Sequence, residues 1–236
     1  MKITNPFATL TRNEWLLWIG SLLLIAAVLL LGGGCDAMVL AALLVGATAL
    51  IFVSKGEPFG QLLTVVFSLI YGIISYRFAY WGEMITYLGM TAPMALISLA
   101  AWLRHPFAEG KTEVQVANLT ARHRLLVICT TVAVTAIFYP ILSVLVTAQL
   151  SLSTVSIATS FCACMLTFLR SPYYALAYAA NDIVLILLWY LAAREDAAYL
   201  PMILCFVIFF CNDLYGFFNW RRIRRRQAQT ASPHQS

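Results

Sequence analysis

Eight apolar stretches limit what this chain of 236 residues can fold into more than any other feature of its sequence. A helix of about 20 apolar residues crosses the hydrocarbon core of a bilayer, and each stretch approaches that length. The stretches run over 15–31, 37–53, 60–78, 84–103, 125–148, 151–169, 173–193 and 199–220. Only 11% of the residues are charged, far fewer than the roughly one quarter of a soluble domain. We therefore predict an all-α polytopic membrane protein with eight transmembrane helices.

The first stretch follows Lys2 and Arg12 and so resembles a signal peptide. It is long for the apolar core of such a peptide, and it lacks the small-residue pattern of a cleavage site. We therefore keep it as the first membrane span.

The positive charges predict the orientation, because loops rich in Lys and Arg remain in the cytoplasm. Of the 15 Lys and Arg residues, Arg77 and Arg194 fall on one side of the predicted membrane, and all the others fall on the side of both chain termini. We expect a multi-pass membrane protein with both termini in the cytoplasm. The basic run at 221–226 follows the last span, where it would contact anionic lipid rather than nucleic acid.

Landmarks recur at a nearly constant offset in spans two to four and six to eight. The paired landmarks are Phe52 with Phe168, Tyr71 with Trp189, and Trp102 with Trp220. A three-helix unit reverses the chain, so one linker helix between two such units makes them parallel. Because each tryptophan of the last pair precedes an arginine at a span end, we also expect Trp102 and Trp220 to anchor their helices at the lipid interface.

The predicted organisation is therefore one N-terminal helix plus a 3+1+3 parallel-repeat core. It divides the chain into an N-terminal tail with the extra helix (1–36), a first three-helix repeat (37–104), a cytoplasmic loop with the linker helix (105–150), a second three-helix repeat (151–222) and a basic cytoplasmic tail (223–236).

Motifs in both units resemble those of the PnuC family of vitamin transporters. They are Tyr71-Gly72, Tyr80-Trp81-Gly82-Glu83-Met84, the closing Trp102, and the run Leu214-Tyr215-Gly216-Phe217-Phe218-Asn219-Trp220-Arg221. The likeness covers roughly residues 37–222. It implies a layout similar to that of the SWEET sugar transporters and facilitative transport of a vitamin-like nucleoside. The expected solute is nicotinamide riboside, trapped by phosphorylation in the cytoplasm.

The chain departs from the nicotinamide riboside carriers of this family at two places. Tyr173, Tyr174 and Tyr178 stand where those members tend to have tryptophans, and Phe67 lies close to the position of an asparagine. A carrier of deoxynucleosides or thiamine within the same family is therefore an alternative.

Two carboxylates interrupt the last two spans, and each follows an asparagine: Asn181-Asp182 and Asn212-Asp213. A charged side chain at the bilayer centre costs roughly 2.5–3.5 kcal/mol on insertion scales, so such residues usually face an interior cavity. Hydrogen bonds between helices are the competing explanation, at about 0.6 kcal/mol each. If either carboxylate carries a proton, the chain would be a proton-coupled importer.

The predicted binding site combines these polar groups with aromatic side chains at helical spacing. Aromatic rings can stack on a heterocycle and attract a pyridinium charge, while amides and carboxylates can bind ribose hydroxyls. The candidate substrate-binding residues are Thr64, Phe67, Ser68, Tyr71, Tyr87, Thr91, Tyr178, Asn181, Asp182, Trp189, Asn212, Tyr215 and Asn219.

The sequence does not contain the residue patterns that metal binding or enzymatic catalysis would need. The histidines and cysteines have no metal-ligand spacing, and the sequence contains neither a glycine-rich phosphate loop nor an ordered set of nucleophile and base. We therefore predict no metal, no cofactor and no enzymatic activity. The predicted partners are a nucleoside-like solute and membrane lipid, with a second copy of the chain as a candidate.

Overall fold

A computed structural model describes residues 5–31, 36–77, 81–147, 149–195, 197 and 200–231. Over these ranges a short 3₁₀ helix, Pro6–Thr9, precedes nine α-helices. They are α1 (Arg12–Leu31), α2 (Ala37–Ser54), α3 (Pro58–Arg77), α4 (Trp81–Thr86), α5 (Ala92–Arg104), α6 (Ala121–Val144), α7 (Leu150–Phe168), α8 (Tyr174–Glu195) and α9 (Leu200–Ala231). A π-helical turn, Tyr87–Thr91, joins α4 to α5. The described residues thus contain eight helical segments long and apolar enough to cross a membrane, which confirms the predicted number.

The last helix differs most from its predicted bounds. α9 continues to Ala231, well past the predicted end at residue 220, so most of the predicted basic tail is helical. The break predicted at 32–35, Tyr80 of the family-like motif, and Ala148 lie outside the described residues.

Six segments form a closed ring. α3 packs between α2 and α5, and α8 packs between α7 and α9. Contacts of α2 with α9 and of α5 with α7 close the ring. α1 lies outside it against α2 and α9, and α6 packs chiefly on α7. The two predicted three-helix units therefore face each other across a central space.

The first helices of the two units, α2 and α7, end in the same way. Beyond each helix one residue adopts a left-handed conformation, Gly56 with φ 70° and Arg170 with φ 56°. The Gly56 N–H donates to the Val53 carbonyl, and the Arg170 N–H donates to the Thr167 carbonyl. We call the end of the bundle that carries Lys55, Arg104 and Arg170 the basic end.

The loop between α5 and α6 is fastened to both of these turns. Val114 N–H donates to the Gly56 carbonyl at 2.9 Å, and Ala117 N–H donates to the Arg170 carbonyl at 3.0 Å. Burial at this end raises the pKa of the Glu57 carboxyl. The loop therefore spans both units across the basic end.

The extension of α9 also bonds to this loop, which explains why the helix continues past its membrane span. The Gln227 side-chain amide donates to the Val114 carbonyl at 3.0 Å and accepts from Val116 N–H at 2.9 Å. Arg226 forms an ion pair with Glu113. α9 and the loop thus pack together as one layer.

Trp102 and Trp220 are both 0% exposed, so the prediction that they anchor their helices at the lipid interface is wrong. Each indole N–H donates to a carbonyl of the opposite unit: Trp102 to Thr167 at 3.0 Å, and Trp220 to Val53 at 2.8 Å. The two rings lie 5.4 Å apart. The last carbonyls of a helix lack partners within it. At the ends of α7 and α2, each of these two carbonyls accepts from an indole as well as from the N–H of the left-handed residue.

A buried carboxylate ties the outer helix α1 to the ring. Glu14 accepts hydrogen bonds from Lys55 Nζ at 2.8 Å and from the Tyr215 hydroxyl at 2.9 Å. Because Lys55 follows α2 and Tyr215 lies on α9, the start of α1 is fixed at the basic end.

Candidate substrate-binding site

A central cavity of about 100 Å³ lies inside the ring. It has room for several water molecules, since one needs about 10–15 Å³ on this measure. Its lining consists of Gly46, Ala49, Leu50, Val53, Gln61, Thr64, Phe67, Tyr87, Thr91, Ser160, Tyr174, Tyr178, Asn181, Asp182, Leu185, Phe206, Phe209 and Asp213. Residues of both predicted units therefore contribute to one space.

Aromatic rings form one wall of the central cavity. The Phe67 ring lies 5.7 Å from that of Tyr87 and 6.4 Å from that of Phe209, with both pairs close to perpendicular. Tyr71 packs behind this wall, with its ring 4.5 Å from that of Tyr87. Edge-to-face rings of this kind present flat apolar faces against which a heterocycle can pack.

The π-helical turn places Tyr87 and Thr91 on the cavity, and such turns occur often at functional sites. Its packing depends on Gly72 of α3, because a Cβ atom at residue 72 would lie 2.5 Å from the Leu88 side chain. The Tyr71-Gly72 motif thus has a structural reason: it lets the turn approach α3.

Two carboxyl groups form the acidic part of the lining. Asp182 of α8 and Asp213 of α9 both lie in the lining, are both buried, and are close enough to each other for a hydrogen bond between their carboxyl groups. A carboxylate can only accept hydrogen bonds, so a bond between the two requires a proton on one of them. Asp182 Oδ2 has no hydrogen-bond partner among the described residues. The pair therefore leaves one acceptor oxygen available.

The cavity is closed toward the basic end. Tyr174 and Val53, both in the lining, pack in the same apolar cluster as Trp102 and Trp220. The Tyr174 ring lies 4.9 Å from that of Trp220. The paired indoles therefore lie directly behind the cavity lining at this end.

A second, smaller cavity lies toward the opposite end of the bundle. Its lining includes Gly82, Glu83 and Ser153 near the outer ends of α4 and α7, together with Leu142 of α6. Four residues line both cavities: Tyr87, Ser160, Asn181 and Leu185. The two cavities are therefore neighbours, and these four side chains form the constriction between them.

The structure brings seven of the predicted binding residues together on the central cavity, from three different elements: α3, the π-helical turn and α8. They are Thr64, Phe67, Tyr87, Thr91, Tyr178, Asn181 and Asp182.

Three further candidates lie behind this lining. The Ser68 hydroxyl donates to the Thr64 carbonyl one turn back in its own helix. Tyr71 stacks on Tyr87, and Trp189 packs in the apolar cluster with Leu185.

The three predicted binding residues of α9 are not part of the central cavity lining. Asn212 donates to the Ser21 hydroxyl of α1, Tyr215 donates to Glu14 of α1, and Asn219 donates to the Ser54 carbonyl at the end of α2. The physical reason is that α1 packs against α9, so this helix has one polar face toward α1 and another toward the cavity.

Residues that are not among the predicted binding residues complete the lining. On α9 they include Phe209 and Asp213, which share a face at i, i+4 spacing. Asp213 is the second of the two carboxylates that the sequence places inside the membrane. Gln61 and Ser160 contribute polar groups from α3 and α7. The spacing of Phe209 and Asp213 could have predicted that these two residues share one face of α9. Asn212 and Tyr215 form an equally polar pattern on a neighbouring face, so the sequence did not show which face meets the cavity.

A membrane-spanning bundle that encloses a polar and aromatic cavity has the architecture of a membrane transporter for a small solute. Residues 36–222 match the family described as nicotinamide mononucleotide transporter. The chain therefore belongs to this family, of which the PnuC proteins are members, and it is a transporter rather than an enzyme.

Individual relatives give the same assignment. A nicotinamide riboside transporter PnuC from Neisseria mucosa is 30% identical over 188 residues, covering 78% of this chain and 71% of the relative. The transporter of the same name from Haemophilus influenzae is 25% identical over 182 residues, 77% of each chain. The crystal structure of the vitamin B3 transporter PnuC superimposes with a TM-score of 0.80 at 27% identity, covering 94% of this chain and 95% of the other.

Proposed function

We propose that this chain carries nicotinamide riboside across the bacterial inner membrane by facilitated diffusion, and that phosphorylation in the cytoplasm traps the solute. The observation that carries the proposal is a cavity lined by rings and paired carboxyl groups in a chain whose relatives are named nicotinamide riboside transporters. No nucleotide-driven step is needed, because consumption of the solute keeps the inward gradient.

The chemistry of the lining suits this solute. A pyridinium ring is both flat and positively charged, so aromatic faces attract it through cation–π interactions. Phe67, Tyr87 and Tyr178 supply such faces, and the Asp182–Asp213 pair supplies negative charge nearby. Asn181, Gln61 and Thr91 offer groups for the ribose hydroxyls.

We further propose that the solute crosses by relative movement of two parallel repeats, as in other carriers built from repeated units. The matched turns at Gly56 and Arg170, and the reciprocal bonds of Trp102 and Trp220, support this division of the chain. We assign the basic end to the cytoplasm, because all the described Lys and Arg residues except Arg77 and Arg194 lie in the loops and helix ends on that side.

Single cysteines in a cysteine-free background test this orientation. A cysteine at Ala197, or at Gly33 outside the described residues, should react with an impermeant maleimide added to intact cells. Cysteines at Glu109 or Gln229 should react only after the cells are opened. Labelling of the second pair in intact cells would contradict the orientation.

Uptake into proteoliposomes tests the proposed transport. Purified protein should equilibrate nicotinamide riboside without a proton or sodium gradient, while nicotinamide mononucleotide should be a poor substrate because its phosphate is costly to desolvate. Empty liposomes are the control. If nicotinamide riboside does not enter but thiamine or a deoxynucleoside does, the family assignment stands and the proposed solute is wrong.

Proton-coupled import is the second candidate, favoured by the two neighbouring buried carboxyl groups of Asp182 and Asp213 in the cavity lining. It predicts accumulation above the outside concentration when a pH gradient is imposed. The Asp182→Asn variant should then lose accumulation but keep equilibration. Under our proposal the pH gradient has no such effect.

A further inference from the structure

Three hydroxyl groups of α7 surround one amide oxygen of α8. Ser156 Oγ, Thr159 Oγ1 and Ser160 Oγ lie 3.1, 2.9 and 3.0 Å from Asn181 Oδ1. The hydroxyls occupy one face of α7, at i, i+3 and i+4. Asn181 is buried, and it lines both the central cavity and the second cavity.

The three hydroxyls are not equivalent. The Thr159 hydroxyl also donates within α7, to the carbonyls of Val155 and Ser156, each at 3.0 Å. Neither Ser156 Oγ nor Ser160 Oγ has another hydrogen bond within the described part of the chain. A carbonyl oxygen has two lone pairs, so the two serines are sufficient to occupy one end of the Asn181 amide.

Fixing one end of a planar amide also fixes the direction of the other. With its oxygen held by α7, the Asn181 amide group directs its nitrogen away from α7, at the constriction between the two cavities. A buried polar group that is oriented in advance binds a solute without the entropy cost of ordering it.

We propose that Ser156 and Ser160 are positioning residues, which orient the Asn181 amide so that its free end recognises a polar group of the transported solute. This inference rests on the proposed function. It adds two residues whose hydroxyls bond to Asn181, and one of them, Ser160, is also part of the central cavity lining. It therefore makes α7 part of the selectivity of the carrier.

A double-mutant cycle tests the proposal, with nicotinamide riboside as the probe and binding measured by calorimetry on purified protein. The Ser156→Ala/Ser160→Ala variant should bind about tenfold more weakly than the unmodified protein. Asn181→Ala should bind at least as weakly, and adding the two serine changes to Asn181→Ala should weaken binding no further. Thr154→Ala is the matched control, because this α7 hydroxyl donates to its own helix at Leu150; its affinity should be unchanged.

Analogue selectivity separates positioning from simple helix packing. We compare the affinities of analogues that lack the carboxamide or one ribose hydroxyl. In the unmodified protein, removal of the solute group that the Asn181 amide recognises should weaken binding. In Asn181→Ala and in the double serine variant, removal of the same group should change the affinity little. If the serine changes lower thermal stability but leave affinity and selectivity unchanged, the hydroxyls only hold α7 and α8 together and the inference is wrong. If the unmodified protein binds no nicotinamide riboside, the proposed function fails and the inference fails with it.

Discussion

Replacing Asp182 by alanine should weaken solute binding about ten- to hundredfold while the protein still inserts and purifies as a single species. Asp182 lies in the lining of the central cavity with one carboxyl oxygen unpartnered among the described residues. Loss of a hydrogen bond to a charged group in a desolvated site costs about 1.5–3 kcal/mol, and each 1.4 kcal/mol is a factor of about ten in affinity. Titration calorimetry with nicotinamide riboside measures the change.

The control for this change is Glu195→Ala, which removes an exposed carboxylate from the far end of the same helix and should leave affinity unaltered. Asp182→Asn then separates two roles. If the negative charge attracts the pyridinium ring, asparagine should be nearly as harmful as alanine; if the oxygen accepts a ribose hydroxyl, asparagine should keep most of the affinity. If Asp182→Ala binds the solute with normal affinity, the Asp182 carboxylate does not contribute to solute binding.

Replacing Trp102 or Trp220 by alanine should cause the largest loss of stability of any single change in this chain. Each change removes a buried indole, at about 3–5 kcal/mol for such truncations. It also removes one of the two donors to a buried carbonyl at the end of α7 or α2, a hydrogen bond worth about 0.5–1.5 kcal/mol. We expect a lower yield and an apparent melting temperature reduced by roughly 10 °C, since 1 kcal/mol corresponds to about 2–4 °C at this size.

Fluorescence-detected size-exclusion chromatography after heating measures this loss. Trp15→Ala is the matched control, because this tryptophan is on the exposed side of α1 and should cost little. Affinity should change by only a few-fold in the protein that survives, since neither indole is in the cavity lining. Equal melting temperatures for Trp102→Ala and Trp15→Ala would contradict the role of the paired indoles in joining the two units.

The membrane helices could be predicted because each depends on local composition. An apolar stretch of about 20 residues is stable across a bilayer whatever surrounds it. Turn-forming residues such as Lys55-Gly56-Glu57-Pro58 separate one stretch from the next. The end of α9 could not be predicted in this way. It depends on Gln227 and Arg226 finding partners in a loop more than a hundred residues earlier in the chain.

The sequence by itself determined the number of spans, the distribution of positive charge, the family-like motifs and the presence of carboxylates inside the membrane. Only the tertiary structure decided which face of each helix meets the cavity. Asn212 and Asp213 are adjacent on α9, yet one bonds to α1 and the other lines the central cavity with Asp182. Polar residues signal that a membrane helix has partners, but which partner each one meets is fixed by how the helices pack, and that packing buries Trp102 and Trp220 between the two units instead of leaving them in lipid.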